Sequence, residues 1–148
     1  MARTRQRDGF SLVEIIVAIT ILGVLAAFAV PRFASLEVEA RSAAATALGG
    51  TLRSNAALAH AVWLAEGQPE ALSLEEQVVA MVNGYPSEAS IDELLASFDG
   101  FTYDDSDSPS VFSKTDGAGN PIASCGVSYG EALAVGAAPD IAIEVSGC

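Results

Sequence analysis

Hydrophobic positions run almost without interruption from Phe10 to Val30 (FSLVEIIVAITILGVLAAFAV), where Glu14 is the one ionisable group. About 20 apolar residues in helical form span the roughly 30 Å hydrocarbon layer, so this run predicts a membrane-crossing helix. Its β-branched Val and Ile would suit a buried strand, but not a strand of that length. After Pro31 the pattern changes. Phe33, Leu36, Ala40, Ala44 and Ala47, then Leu48, Leu52, Ala56, Ala59 and Trp63, recur at intervals of three and four, which is one face of an amphipathic helix. Read as one element, residues 10–63 make a helix of roughly 80 Å at 1.5 Å per residue. It is too long to bury itself against one small domain and needs membrane, partners or both. Pro31 lacks a backbone N–H and crowds the preceding turn, which predicts a kink. Gly49-Gly50 predicts close packing on a sheet, with a helix break as the alternative.

Residues 64–72, with Gly67 and Pro69, read as a loop. Ser73-Leu-Glu-Glu76 and Ser90-Ile-Asp-Glu93 both fit the S-x-x-E capping box, predicting short helices over 74–83 and 91–98 that end at Gly84 and Gly100. From Phe101 onward helical periodicity is lost. Strands are expected at 101–103, 111–114, 126–133 and 141–145, the last with Ile141, Ile143 and Val145 alternating with Ala142 and Glu144. A turn over 136–140 would make the last two an antiparallel pair. The fold expected is α+β, a long N-terminal α-helix packed on a small antiparallel β-sheet. Its parts are a leader (1–9), a membrane or assembly helix (10–30) and an amphipathic helix with a C-terminal head (31–148).

Composition narrows the function. At 148 residues the chain is one domain rather than two. It has 19 acidic and 7 basic residues, for a net charge of -12. Arg3, Arg5 and Arg7 lie in the first nine residues beside Asp8, so the remainder carries four basic and 18 acidic groups. Such a surface repels phosphate backbones, and direct nucleic-acid binding is not expected. One His and two Cys cannot supply a four-ligand zinc site, and no metal site or cofactor is expected. A Ser-His-Asp triad would have to use His60, which reads instead as a packed or surface histidine beside Trp63, a core aromatic. With no nucleophile elbow, phosphate loop or HExxH motif, nothing points to an enzyme. Asp104-Asp105-Ser106-Asp107 and Asp116 with Asn120 raise calcium, but their spacing does not fit the D-x-[DN]-x-[DN]-G loop, and solvated acidic loops are the simpler reading.

A basic lead-in before an apolar run is the pattern of a targeting segment. The apolar stretch is longer than an ordinary secretory signal, and Pro31-Arg32-Phe33 makes a poor small-residue cleavage site. Glu14 sits one turn from the helix start, where it lies at the membrane interface, is protonated, or has a positive partner in an assembly. A cut before Phe10 would create an α-ammonium one helical turn from that carboxylate.

Gly9-Phe10-Ser11-Leu12-Val13-Glu14, after a short basic leader and before a hydrophobic helix, resembles a type IV prepilin. The resemblance implies that a membrane prepilin peptidase cuts after Gly9 on the cytoplasmic side and methylates the new N-terminal Phe10. It implies also that Glu14 pairs with the amine of an adjacent subunit during assembly. Pro31-Arg32-Phe33, the Ala-rich stretch to Trp63, Val82-Asn83-Gly84-Tyr85-Pro86 and the final Ser146-Gly147-Cys148 are similar to major pilins of the mannose-sensitive haemagglutinin type. By count alone, Cys125 and Cys148 read equally well as two free thiols in a cytosolic protein. Placed across a membrane, they face an oxidising compartment and a disulfide is expected, as in the pilins resembled.

The function expected is a structural subunit of an extracellular type IV pilus, serving adhesion or surface attachment. It would lie in the inner membrane as a prepilin and then polymerise with itself at the cell surface through the pilus assembly machinery. The alternative is a pseudopilin of a type II secretion system, which shares the N-terminal motif. The terminal cysteine pair favours the pilus. An enzyme or receptor domain on a single membrane anchor is the remaining reading.

Overall fold

The computed structural model describes residues 11–74 and 77–148. A single helix, α1, runs from Leu12 to Ala65. Helical conformation continues through Pro31, whose missing N–H leaves the Ala27 carbonyl without its usual partner, and through Gly49-Gly50 without a break. The described residues fall into two units, 11–37 and 38–148.

In the first unit nearly all the described side chains along α1 are exposed, on every side of the helix, among them Ile15, Ile19, Leu22, Leu25 and Phe28. In the second unit, α1 buries a stripe of Ala45, Leu48, Leu52, Ala56, Ala59 and Trp63 at the three-and-four spacing that puts residues on one helix face. The sequence stripe therefore holds from Leu48 onward. Phe33, Leu36, Ala40 and Ala47, counted on the same face, are exposed.

Two antiparallel sheets complete the second unit. The smaller contains β1 (Ala71–Leu74), β2 (Gln77–Val82) and β3 (Tyr85–Pro86), in the order β1-β2-β3. The larger contains β4 (Phe101–Asp104), β5 (Ser110–Thr115), β6 (Pro121–Gly130) and β7 (Asp140–Glu144), in the order β4-β5-β6-β7. Leu48, Leu52 and Ala56 of α1 pack with Ile91, Phe112, Val127 and Tyr129, while Ala59 and Trp63 pack with Leu72. The result is an α+β fold in which one long N-terminal helix packs on antiparallel sheets, consistent with the type IV pilin fold.

The helix expected over 74–83 is corrected to strands. Gln77-Val-Val-Ala-Met-Val82 is rich in β-branched residues, and Val79 is buried directly opposite Leu72 in the β1–β2 register. Asn83 and Gly84 both have positive φ and form a two-residue turn into β3, a hairpin signature that outweighs the S-x-x-E match. Ser73 is a strand residue, and Glu76 lies outside the described residues. The helix expected over 91–98 is replaced by two single 3₁₀ turns, Glu88–Ser90 and Asp92–Leu94. Ser90 does not cap a helix: its hydroxyl donates to the Ala80 carbonyl. The four strands expected after Phe101 are all present. β6 starts five residues earlier than expected and stops at Gly130, and residues 131–139 return the chain to β7.

Gly49 shows why that glycine sits where it does. A Cβ there would lie 2.6 Å from Ile143 Cδ1, so the helix closes on β7 because it has no side chain. Gly50 faces open space.

Candidate functional site

The helix start is built from Ser11, Leu12, Val13 and Glu14. The Ser11 N–H donates to Glu14 Oε2 at 2.8 Å, and Ser11 Oγ accepts from the Val13 N–H at 3.3 Å. This is a variant of the capping box: the carboxylate three residues on takes the Ser11 N–H, while the Ser11 hydroxyl takes the N–H of Val13 rather than that of Glu14. Glu14 is thereby turned back toward the N-terminal end of the helix. A carboxylate there is also favoured by the positive end of the helix dipole. Gly9 and Phe10, the expected cleavage and methylation residues, lie outside the described residues.

Beyond this cap, Thr20 is the other polar side chain before Pro31, and its hydroxyl donates to the Val17 carbonyl at 2.8 Å. The three polar side chains of the apolar stretch, Ser11, Glu14 and Thr20, thus all hydrogen-bond locally within their own segment. α1 contains a stretch long and apolar enough to cross a membrane, none of it buried. A helix that is hydrophobic all round and satisfies its own polar groups suits lipid or a packed helical partner equally well.

At the other end of the chain Cys125 and Cys148 form a disulfide, S–S 2.07 Å, that joins β6 to the last residue. The Gly147 N–H donates to the Ser124 carbonyl at 2.9 Å, and Arg41 Nη1 donates to the Cys148 carbonyl at 3.2 Å. The segment after β7 is thus held to both the sheet and the helix.

The remaining candidates are occupied structurally. His60 stacks on Tyr85 with ring centroids 4.4 Å apart, and its Nδ1 lies 2.7 Å from the Gly84 carbonyl. Trp63 is buried and donates its indole N–H to the Pro69 carbonyl at 2.9 Å. Tyr103 donates to the Glu88 carbonyl, and burial pushes its phenol up to about 12. In the acidic loops, Asp104 and Asp116 serve their own turns. Asp104 accepts from the Ser106 hydroxyl and N–H, which hold it below the ordinary carboxylate range. Asp116 is lowered by the Asn120 N–H and side-chain amide and then by the Ala118 N–H. Among the described residues no three His, Cys, Asp or Glu groups gather as a metal would require.

Ser11 is the functional-site residue that sequence reasoning missed. The S-x-x-E pattern that predicted helix starts at Ser73 and Ser90 also occurs at Ser11–Glu14, and there it does cap a helix.

Residues 4–30 match the family model of the prokaryotic N-terminal methylation motif. No curated protein and no solved structure matches the chain. The match supports a type IV pilin-like prepilin, either pilin or pseudopilin. It implies processing by a prepilin peptidase and entry into a pilus-type assembly, and such proteins are structural subunits rather than enzymes. The apolar helix start fits a membrane-anchored precursor.

Proposed function

We propose that this chain is the structural subunit of an extracellular type IV pilus. The observation that carries the reading is the first unit of α1: an apolar helix whose described side chains are exposed on all sides, begun by a carboxylate-closed cap and matching the methylation motif as far as Val30. The prepilin sits in the inner membrane with residues 1–9 in the cytoplasm. The peptidase hydrolyses the Gly9–Phe10 amide, freeing the Phe10 amine, which is then methylated. Assembly machinery moves the subunit out of the lipid, and helix 10–30 exchanges lipid for neighbouring helices, with a bend at Pro31 accommodating the packing.

Glu14 supplies the register. An ammonium buried among apolar helices is costly unless paired, so a neighbour's Phe10 amine is favoured where it meets this carboxylate. The head-to-tail contact does not close on itself and therefore gives an open helical polymer. The disulfide and the Arg41 contact keep the segment after β7 from fraying at the filament surface. Adhesion or surface attachment is the role implied by the likeness to mannose-sensitive haemagglutinin type pilins. The pseudopilin reading shares the motif, and the Cys125–Cys148 bond favours the pilus.

The test is the intact mass of the protein in material sheared from native cells, with and without reduction. The pilus reading expects abundant chain beginning at Phe10, one methyl group heavier and, before reduction, two hydrogens lighter. Processed chain confined to the envelope would favour the pseudopilin. Unprocessed chain would sink both.

A further inference from the structure

Among the described residues the second unit has three basic side chains, and two are engaged against the fold: Arg41 at the Cys148 carbonyl and Lys114 at the Gly100 carbonyl, over the Phe101 ring. Arg53 differs. It is exposed on α1, spends one N–H on the Ile141 carbonyl at 2.8 Å, and has no carboxylate partner among the described residues. It lines a cleft of about 400 Å³ with Ala57, Tyr85, Pro139, Asp140 and Ile141. The Tyr85 ring is backed by its stack on His60. A guanidinium with unused donors, held on one side by a backbone carbonyl, is built to receive a carboxylate.

The chain carries such carboxylates at a geometrically matched place. β4 and β7 are the two edges of the larger sheet. The pairing registers put Asp104, Val111, Ser128 and Ala142 in one row across it. Asp105–Asp107 therefore leaves the sheet at the same end where Asp140 and Ile141 begin β7, but on the opposite edge. Three interstrand steps of about 4.8 Å each separate the edges, so the two features of one chain face apart. Asp104 is tied to Ser106, whereas Asp105 and Asp107 are exposed with no partner among the described residues.

We propose that Asp105 and Asp107 of one copy dock on Arg53 in the cleft of a second copy displaced across the sheet. The proposal rests on the filament reading and adds a lateral contact between heads to the helix contact. Because donor and acceptor lie on opposite edges, the contact is heterologous, and in an open helical array it repeats from copy to copy. Asp140 lines the same cleft, so an incoming carboxylate meets one negative charge there beside the guanidinium. On a chain this acidic, the contact also sets which face of one head meets the next, since other pairings bring like charges together.

The experiment is a charge exchange in the full chain, scored by filament yield in sheared material and by subunit level in the membrane. Arg53→Asp alone, and Asp105→Arg with Asp107→Arg, should each lower filament yield by roughly tenfold, and the combination should restore it. Parental yield from both, or a combination no better than its parts, overturns the contact. An unaltered chain that forms no filaments overturns the filament reading as well, a different and visible failure. Should a reversed-charge variant be lost from the membrane, Arg53→Lys decides. Carbodiimide treatment of mixed nitrogen-isotope-labelled and unlabelled filaments should give an amide between position 53 and Asp105 or Asp107 of another copy. Its absence overturns the proposal.

Discussion

Helix α1 is one continuous element with two regimes. Over 12–37 its described apolar side chains are almost all exposed and face every direction, whereas over 38–65 it carries small residues and seven buried positions, Gly49 among them. The backbone is the same, so the difference lies in how side-chain volume is distributed. Branched Ile, Leu and Val all round make a surface that no single neighbour can cover, and it must be covered by lipid or by several helices. Ala on most sides, with Leu48, Leu52 and Trp63 on one, makes a surface that a sheet can cover completely.

The sharpest break in this comparison is at Glu14. Glu14→Ala should leave subunit in the membrane and lower filament yield by roughly tenfold or more, as expected for removing one partner of a buried charge pair. Glu14→Gln separates the two roles of the side chain. Gln can close a capping box as Glu does, but it cannot neutralise an ammonium. Filaments restored by Gln would assign Glu14 to helix capping alone, while continued loss would assign it to charge pairing. Counting filaments by electron microscopy against membrane-fraction subunit reads both.

The next largest effect compares one leucine from each regime. Leu52→Ala should destabilise the folded head by about 2–5 kcal/mol, because Leu52 is fully buried in the core. Leu22→Ala should leave the detergent-solubilised subunit unchanged, because Leu22 is exposed. Urea unfolding followed by Trp63, the only tryptophan, measures both. A Leu22→Ala loss comparable to that of Leu52→Ala would mean that the first regime is buried even in the isolated subunit.

The same contrast explains what could be read from the chain. The apolar run and the stripe from Leu48 to Trp63 were legible because each imposes its periodicity over many turns. Ile141 and Ile143 were legible because strict alternation leaves a strand little competition. The smaller sheet was not. Its strands are four, six and two residues long, and a four-residue capping match at Ser73 outweighed them in the reading. The information that decides is Asn83-Gly84, whose positive φ angles turn the chain back at once. At the candidate site, Gly9, Phe10 and Glu14 stand out only as a joint pattern. The hydrogen bond from Ser11 needed coordinates to be seen. The Arg53 cleft was invisible in sequence because α1, β3 and the approach to β7 build it from distant segments.

A finer test lies in the adjacent glycines. Gly49→Leu places a side chain where even a Cβ would meet Ile143, and should destabilise by about 1–3 kcal/mol. Gly50→Ala has nothing within 4 Å and should gain up to about 1 kcal/mol from helix propensity. Opposite signs in thermal unfolding would confirm that one glycine is required by packing and the other is not. Losses of similar size at both would point to a role in helix flexibility.

The smallest effect expected concerns the turn between β5 and β6. Asp116 is only partly exposed, and the Asn120 N–H, the Asn120 amide and the Ala118 N–H hold its carboxyl below the ordinary range. A carboxylate whose folded value is depressed contributes stability that is complete above its unfolded value of about 3.9 and is lost as pH falls through the lower folded value. Asp116→Asn removes that titration while keeping an acceptor of similar shape. The parent should therefore exceed the variant in urea midpoint at neutral pH, and the gap should narrow only below about pH 4. A gap that stays constant with pH would mean that the turn depends on the shape of the side chain and not on its charge.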